Sequence, residues 1–272
     1  MMFPYVPLSP EQTTSMGTTT SGVRRRHWSE TFAPRRSRSA WSRAYTRAAL
    51  HVTRSMRGTG ILRVHRAMNA VIALLALLAL LPVFVLLAVL VKLTSRGPVF
   101  YLQERVGLDR RTPGPHARNH RRGPDLGGAP FTIYKFRTMH AEAERHSGAV
   151  WAQENDPRVT AVGRVLRQYR LDELPQLLNV LRGEMNIVGP RPERPTIFAE
   201  LRGHIAEYPL RQRAKPGITG LAQINHHYDR SLEDVRTKVS YDLEYIRRQS
   251  LREDLRIMLK TIPVILLRRG GW

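Results

Sequence analysis

The chain has 272 residues, 42% of them hydrophobic, which suits one catalytic-size domain with appendages. It contains no cysteine, so disulfides, thiolate metal sites and a cysteine nucleophile are excluded, as fits a cytosol-facing protein without requiring one. The formal net charge of +22 points to a polyanionic partner: nucleic acid, an anionic membrane surface or a phosphorylated substrate.

The charge is uneven, with a dozen Arg against only Glu11 and Glu30 in residues 1–66. Residues 1–36 are rich in Pro, Ser, Thr and Arg without apolar period, which predicts disorder. RRRHW at 24–28 is not read as a cleaved export signal, because no long apolar segment follows until Ala70. Over 37–57, Trp41, Ala44, Tyr45, Ala48, Val52 and Met56 recur at steps of three and four, with Arg43, Arg47 and Arg54 between them. That pattern is a basic amphipathic helix on an anionic bilayer or a solvated linker, and the residues leave both readings open. Residues 1–62 are thus assigned to a basic N-terminal segment.

The next segment, 63–96, contains NAVIALLALLALLPVFVLLAVLVKL at 69–93. Ala70 to Val91 is 22 residues without a charge, and at ~1.5 Å per residue a straight helix of that length just spans ~30 Å of hydrocarbon. Two features weigh against a straight span. Pro82 interrupts the run, removing a backbone hydrogen bond. Both flanks are also basic, with Lys92, Arg96 and Arg105 following the upstream arginines, and the positive-inside bias would hold both on one side. The expectation is a helix that enters, bends at Pro82 and leaves by the same face, with a plain span as the alternative.

A cytosolic catalytic domain is assigned to 97–272. VFYLQERVG (99–107) and PFTIYKFRTM (130–139) have the aromatic and β-branched character of paired short strands. Between them, residues 108–129 are too rich in Arg, Gly, Pro and His to pack, and are expected to form a flexible insertion. GRVLRQY reads as helical, and Leu171, Leu174, Leu177, Leu178 and Leu181 form a second stripe ended by Gly183. A helix is expected over 195–213, a turn-rich loop at KPGITG (215–220), and amphipathic basic helices over 231–248 and 251–268.

Asp172 and Glu173 sit side by side before that leucine stripe. Asp172 stands where an N-cap is expected and Pro175 within the first turn, so the helix dipole and free N–H groups are expected to face the pair. An isolated Asp-Glu pair is ordinarily capping. Here Arg164, Arg167 and Arg170 lie upstream and Arg191 follows in a Gly-Pro-Arg-Pro loop, an arrangement suited to phosphoryl transfer on a diphosphate. Walker, HExxH and Rossmann fingerprints are absent.

The segments GPVFYLQERVG (97–107), FTIYKFRTM (131–139), NDPRVTAVGRVLRQYRLDELPQLLNVLRGEMNIVGPRPE (155–193), KPGITGLAQIN (215–225) and YDLEYIRRQSLREDLRIMLKTI (241–262) resemble the bacterial sugar transferases, the monotopic polyprenyl-phosphate phosphoglycosyl transferases. The resemblance implies a mainly α fold with a small β-hairpin (α+β), a proline-broken re-entrant membrane helix corresponding to Pro82, and amphipathic interfacial helices. It implies transfer of a sugar-1-phosphate from a UDP-sugar to a polyprenyl (undecaprenyl) phosphate, with UMP released, at the start of lipid-linked exopolysaccharide, O-antigen or glycoconjugate synthesis. By the same match Asp172 is the covalent nucleophile and Glu173 binds Mg²⁺. Lys135, Arg137, Arg167 and Arg191, with Pro190 and Pro192 of the loop, make the phosphate or nucleotide site. The implied setting is the bacterial inner membrane, with the catalytic domain facing the cytoplasm and anionic lipids as neighbours; no nucleic acid is expected, and a homo-oligomer is left open. Departures are Leu81 where a Ser usually precedes the proline, Asn69 where an Asp is usual, Arg170 where the residue is usually small, His226 in place of Gly, and the length of the 108–129 insertion. The competing class is a non-catalytic, membrane-tethered basic adaptor for nucleic acid or anionic lipid, in which the acidic pair is only a cap.

Overall fold

The computed structural model describes residues 59–109, 127–140, 143, 156–226 and 231–267, with residues 59–62 as backbone only. The segment expected to be amphipathic (37–57) lies outside these residues, as does most of the 108–129 insertion.

Two apolar helices lead the described chain, α1 (Thr59–Ala79) and α2 (Leu81–Thr94). They meet at Leu80 with a bend of 63°. Pro82 lies in the first turn of α2, where its missing N–H is tolerated, while its ring obstructs continuation of the preceding turn. Leu80 N still donates to Ala76 O and Phe84 N to Leu80 O, both at 2.9 Å, so the break is tight. Among the described residues no single helix is long and apolar enough to cross a membrane, but the bent pair passes that test together.

Each arm has one face on the rest of the molecule. Ala73 of α1 packs with Ile133, Leu177, Val180 and Met185; Leu87 and Val91 of α2 pack with Phe136 and Leu166. The opposite faces, with Leu74, Leu75, Leu78, Leu81, Val85, Leu86, Val89 and Leu93, are exposed. Contiguous apolar exposure on this scale marks an interaction surface.

The hairpin expected from the sequence is present: β1 (Phe100–Val106) pairs antiparallel with β2 (Pro130–Phe136), Tyr101 opposite Lys135. The pairing continues into the ends of the insertion, where Gly107 N donates to Ala129 O and Ala129 N to Leu108 O. Next comes α3 (Ala161–Gln168), capped by Thr160, whose hydroxyl accepts from Gly163 N at 2.9 Å. Gly163 cannot be larger, since a Cβ there would stand 2.0 Å from Thr138 O.

The leucine stripe does not form one helix. A 3₁₀ turn (Leu171–Gln176) carries the acidic pair, and α4 (Leu177–Arg182) follows, closed by Gly183 at φ 80°. A second, parallel pair was not anticipated: β3 (Asn186–Val188) aligns with β4 (Gly217–Thr219), inside the segment expected to be a loop. Three-residue strands are too short to show alternation. At Gly217 a Cβ would fall 2.0 Å from Gly189 N, so glycine allows these backbones to approach.

The helix expected over 195–213 is likewise divided. After α5 (Pro195–His204) the chain extends at Ile205, then forms a 3₁₀ turn (Tyr208–Arg213) around Pro209, which has no N–H to continue an α-helix. The short α6 (Leu221–Asn225) precedes α7 (Leu232–Arg248) and α8 (Leu251–Leu266), near the expected bounds. Ser231 and Ser250 cap them by accepting from Asp234 N and Glu253 N. The largest core cluster joins Val106, Val188, Phe198, Tyr208, Val239, Leu243 and Ile257, tying β1, β3, α5, α7 and α8 together.

Candidate active site

The acidic pair lies where β2, the 3₁₀ turn and the 189–193 loop converge. Asp172 and Glu173 are 7% and 5% exposed. They lie in the first turn of the 3₁₀ helix and not at an α-helix N-cap: Arg170 occupies the cap position, Asp172 makes no capping bond, and α4 begins only at Leu177. Pro175 and the tight 3₁₀ turn delay the α-helix past the pair, and the charges found in contact with the acids are those of side chains.

Lys135 Nζ stands 2.8 Å from Glu173 Oε1 and 3.9 Å from Asp172 Oδ2. Arg191 grips Glu173 with both terminal nitrogens, Nη2 to Oε1 at 2.5 Å and Nη1 to Oε2 at 3.1 Å. Arg170 Nη1 is 3.8 Å from Glu173 Oε2. Arg167, whose positive charge also acts on Asp172, donates its Nε to Thr138 Oγ1 at 2.9 Å. Four cations thus stand around two carboxylates, a surplus that favours an incoming polyanion.

Burial acts on the two acids alike and their neighbours separate them. Burial pushes Asp172 up to about 6; Lys135 opposes this, and the negative Glu173 reinforces it. Glu173 is also raised by burial, but Arg191 and Lys135 outweigh this and hold it well below the usual carboxylate range. Lys135 is lowered by its own burial against the pull of Glu173 and Asp172. One acid is held as an anion between cations, and its neighbour is pushed up to about 6.

Arg191 owes its pose to its loop. Pro190 and Pro192 are buried, and the loop's carbonyls are taken in turn: Pro190 O by Gly217 N, Arg191 O by Arg211 Nη2, Pro192 O by Arg105 Nη1 and Glu193 O by Val106 N. Arg211 is itself buried and paired with Asp242 at 2.6 Å. Glu193 accepts from Lys238 at 2.9 Å. In this geometry both prolines act through the loop's shape.

Lys135, Arg167 and Arg191 are therefore brought together with the pair, as the sequence suggested. Arg164 is exposed and makes no part of the cluster. Arg137 is turned elsewhere, its Nη2 donating to Ser95 O and Oγ at 2.7 and 2.8 Å. Reading the sequence for charge overlooked Thr138, which orients Arg167, and Asn179, which is fully buried. Asn179 accepts from Tyr134 N and donates to Thr132 O, joining α4 to the strand that carries Lys135. Thr138 belongs to the KFRTM stretch and was within reach of motif reasoning; nothing in the sequence marks Asn179. Among the described residues no group of three or more His, Cys, Asp or Glu gathers in a metal-binding cluster.

The arrangement sets a surplus of cations around a buried acidic pair, beside an apolar helix pair. The family model for the bacterial sugar transferases matches residues 61–268, and the chain belongs to that family. It is 44% identical over 184 residues to the UDP-N-acetylgalactosamine-undecaprenyl-phosphate N-acetylgalactosaminephosphotransferase of Aeromonas hydrophila, over 68% of this chain and 39% of that protein. It is 42% identical over 184 residues to the UDP-glucose:undecaprenyl-phosphate glucose-1-phosphate transferase of Caulobacter vibrioides, over 67% and 62% of the two chains. Identity to the exopolysaccharide production protein ExoY of Rhizobium meliloti is 38% over 203 residues, or 70% and 79%. The match thus spans less than two thirds of the first two relatives.

Proposed function

We propose that this protein is an enzyme that moves a sugar-1-phosphate from a UDP-sugar to a membrane polyprenyl phosphate, giving the polyprenyl-diphosphate-sugar and UMP. The observation that carries the reading is the buried acid pair, with Glu173 clamped by Lys135 and Arg191 while Asp172 is left to react. Family membership and the undecaprenyl-phosphate transferase names of two relatives support the substrate classes.

In the first step an Asp172 carboxylate oxygen attacks the sugar-bearing phosphorus. The bond from that phosphorus to the bridging oxygen breaks, and UMP leaves with the electron pair. In the second, a phosphate oxygen of the polyprenyl acceptor attacks the phosphorus of the Asp172 adduct. The acyl-phosphate bond breaks, Asp172 returns as a carboxylate, and no net proton is exchanged in either step. Arg191, Lys135, Arg167 and Arg170 hold the phosphates and offset the charge spread over the transferring group.

The residues fit Mg²⁺ in the manner hard divalent ions use, one or two carboxylates completed by substrate phosphates rather than a protein cage. Glu173 would hold it in exchange for part of its Lys135 or Arg191 contact, and the ion would neutralise the diphosphate.

The setting is a bacterial inner membrane entered and left on the cytoplasmic side by the α1–α2 pair. The 63° bend, the exposed apolar faces of both arms, and the exposed Leu251, Leu255, Leu259, Ile262 and Leu266 of α8 support this path. The decisive measurement is UMP release from UDP-glucose and UDP-N-acetylgalactosamine with undecaprenyl phosphate. Ping-pong kinetics are expected for the natural chain, and Asp172→Asn should lower release at least a thousandfold. A folded Asp172→Asn protein with undiminished turnover would refute the mechanism.

A further inference from the structure

The loop that carries Arg191 is held from behind by one face of α7. Lys238 and Asp242 lie four residues apart on that helix, so both project from the same side. Lys238 Nζ donates to Glu193 Oε1 at 2.9 Å. Asp242 Oδ2 accepts from Arg211 Nε at 2.6 Å, and Arg211 Nη2 donates onward to the carbonyl of Arg191 at 3.0 Å. The remaining nitrogen, Nη1, donates to the Tyr208 hydroxyl at 2.8 Å. Each nitrogen of the Arg211 guanidinium therefore has a fixed partner, and the whole side chain is buried.

Charge is a poor filling for this part of the molecule. Tyr208, Val239 and Leu243 beside it belong to the largest apolar cluster, and a buried ion pair is often no more stabilising than apolar side chains of similar volume. What the pair supplies, and apolar side chains could not, is a directional bond to one backbone carbonyl. That carbonyl belongs to Arg191, whose side chain is 35% exposed. Packing thus holds its guanidinium only in part, and its two-point grip on Glu173 depends on where its backbone is fixed. Gly217, Arg105 and Val106 tie the neighbouring carbonyls of the loop; the tie at Arg191 itself comes from Arg211.

Resting on the proposed transferase reading, we propose that Arg211, braced by Asp242, is a positioning residue that sets Arg191 in register with Glu173 while bonding to neither acid of the pair. The face of α7 acts on the reaction only through the loop.

A cycle of substitutions separates positioning from simple support of the fold. The full chain in detergent is assayed by single-turnover release of radiolabelled UMP, with whichever of UDP-glucose or UDP-N-acetylgalactosamine supports turnover. Arg211→Met combined with Asp242→Leu removes both buried charges together and should melt within about 5 °C of the natural protein. Its rate of UMP release should nevertheless fall at least about tenfold, since small displacements of a positioning group are costly. In an Arg191→Lys background, where a point charge replaces the two-point grip, the same pair of changes should cost less than about threefold. Arg211→Lys keeps the charge beside Asp242 but lacks the three-way fork, and should show the same loss with the same dependence on Arg191. Equal losses in both backgrounds, or no loss beside the natural Arg191, overturn the proposal. Failure of both Arg211 variants to fold also overturns it, because the pair would then serve the core as a whole. The underlying transferase reading fails in a different way: the natural chain releases no UMP, or Asp172→Asn releases it undiminished.

Discussion

Two adjacent carboxyl groups in one turn titrate apart because their partners differ. Glu173 has Lys135 and Arg191 in contact, whereas the closest cation to Asp172, Lys135, is 3.9 Å away and already bonded to Glu173. With Asp172 pushed up to about 6, UMP release should fall tenfold per pH unit below that value, since the protonated acid is a poor nucleophile; a flat profile between pH 4.5 and 7 would contradict this assignment. The same shift acts on stability. An unfolded Asp titrates near ~3.9, so the folded state binds the extra proton between about pH 4 and 6 and loses relative stability as pH rises through that window. Replacing Asp172 by Asn should therefore stabilise the protein by roughly 1–3 kcal/mol at pH 8, with the gain vanishing below about pH 4. Thermal unfolding of both proteins at the two pH values measures it.

At the scale of the element, the 3₁₀ turn depends on a left-handed residue. Arg170 is the one non-glycine with positive φ among the described residues, at φ 54° and ψ 23°. It reverses the chain between α3 and the acidic pair, at a position where the sequence comparison expected a small side chain. Its guanidinium stands 3.8 Å from Glu173 Oε2. Arg170→Gly should fold with stability within about 1 kcal/mol of the natural protein, while β-branched Arg170→Val should lose roughly 1–2 kcal/mol, because its Cβ crowds the backbone in this region. Equal melting temperatures for the two variants would remove the strain argument.

At the scale of the whole molecule, the apolar helix pair is bonded into the catalytic domain. Asn69 is fully buried; its Oδ1 accepts from Ile187 N at 2.7 Å and its Nδ2 donates to His65 O at 2.8 Å. His65 is held by Asp254 of α8 at 2.7 Å, and Asp254 also accepts from the Tyr245 hydroxyl. Arg66 donates to Val180 O and to Leu181 O, capping the last turn of α4 just beyond the acidic pair. Asn69→Leu strands the Ile187 N–H and should destabilise the protein by about 1–3 kcal/mol. Asn69→Asp, which keeps the acceptor but loses the amide donor, should cost less. Unfolding in detergent ranks the three proteins, and an Asn69→Leu protein as stable as the natural one would show that α1 is only an anchor.

These three scales differ in how far they were legible from the residues. Apolar length, Pro82 and the basic flanks announced a broken apolar helix, and aromatic and β-branched residues announced the β1–β2 hairpin, because both signals are local in the chain. The Asp-Glu pair and Arg191 were visible as chemistry at fixed spacing. The helix N-cap assigned to Asp172 was not borne out, since a leucine stripe has nearly the same spacing in a 3₁₀ turn followed by a short α-helix as in one continuous helix. The split of 195–213 turned on Pro209, and the β3–β4 pair on a contact between segments distant in sequence. What the amino-acid sequence determined by itself was which groups were available: two acids, a surplus of cations and an apolar segment that bends. Only the tertiary structure decided their allegiance, sending Lys135 and Arg191 to Glu173 and Arg137 to the end of α2. Charge pairing depends on distance and burial, and neither is set until the strands and helices have packed.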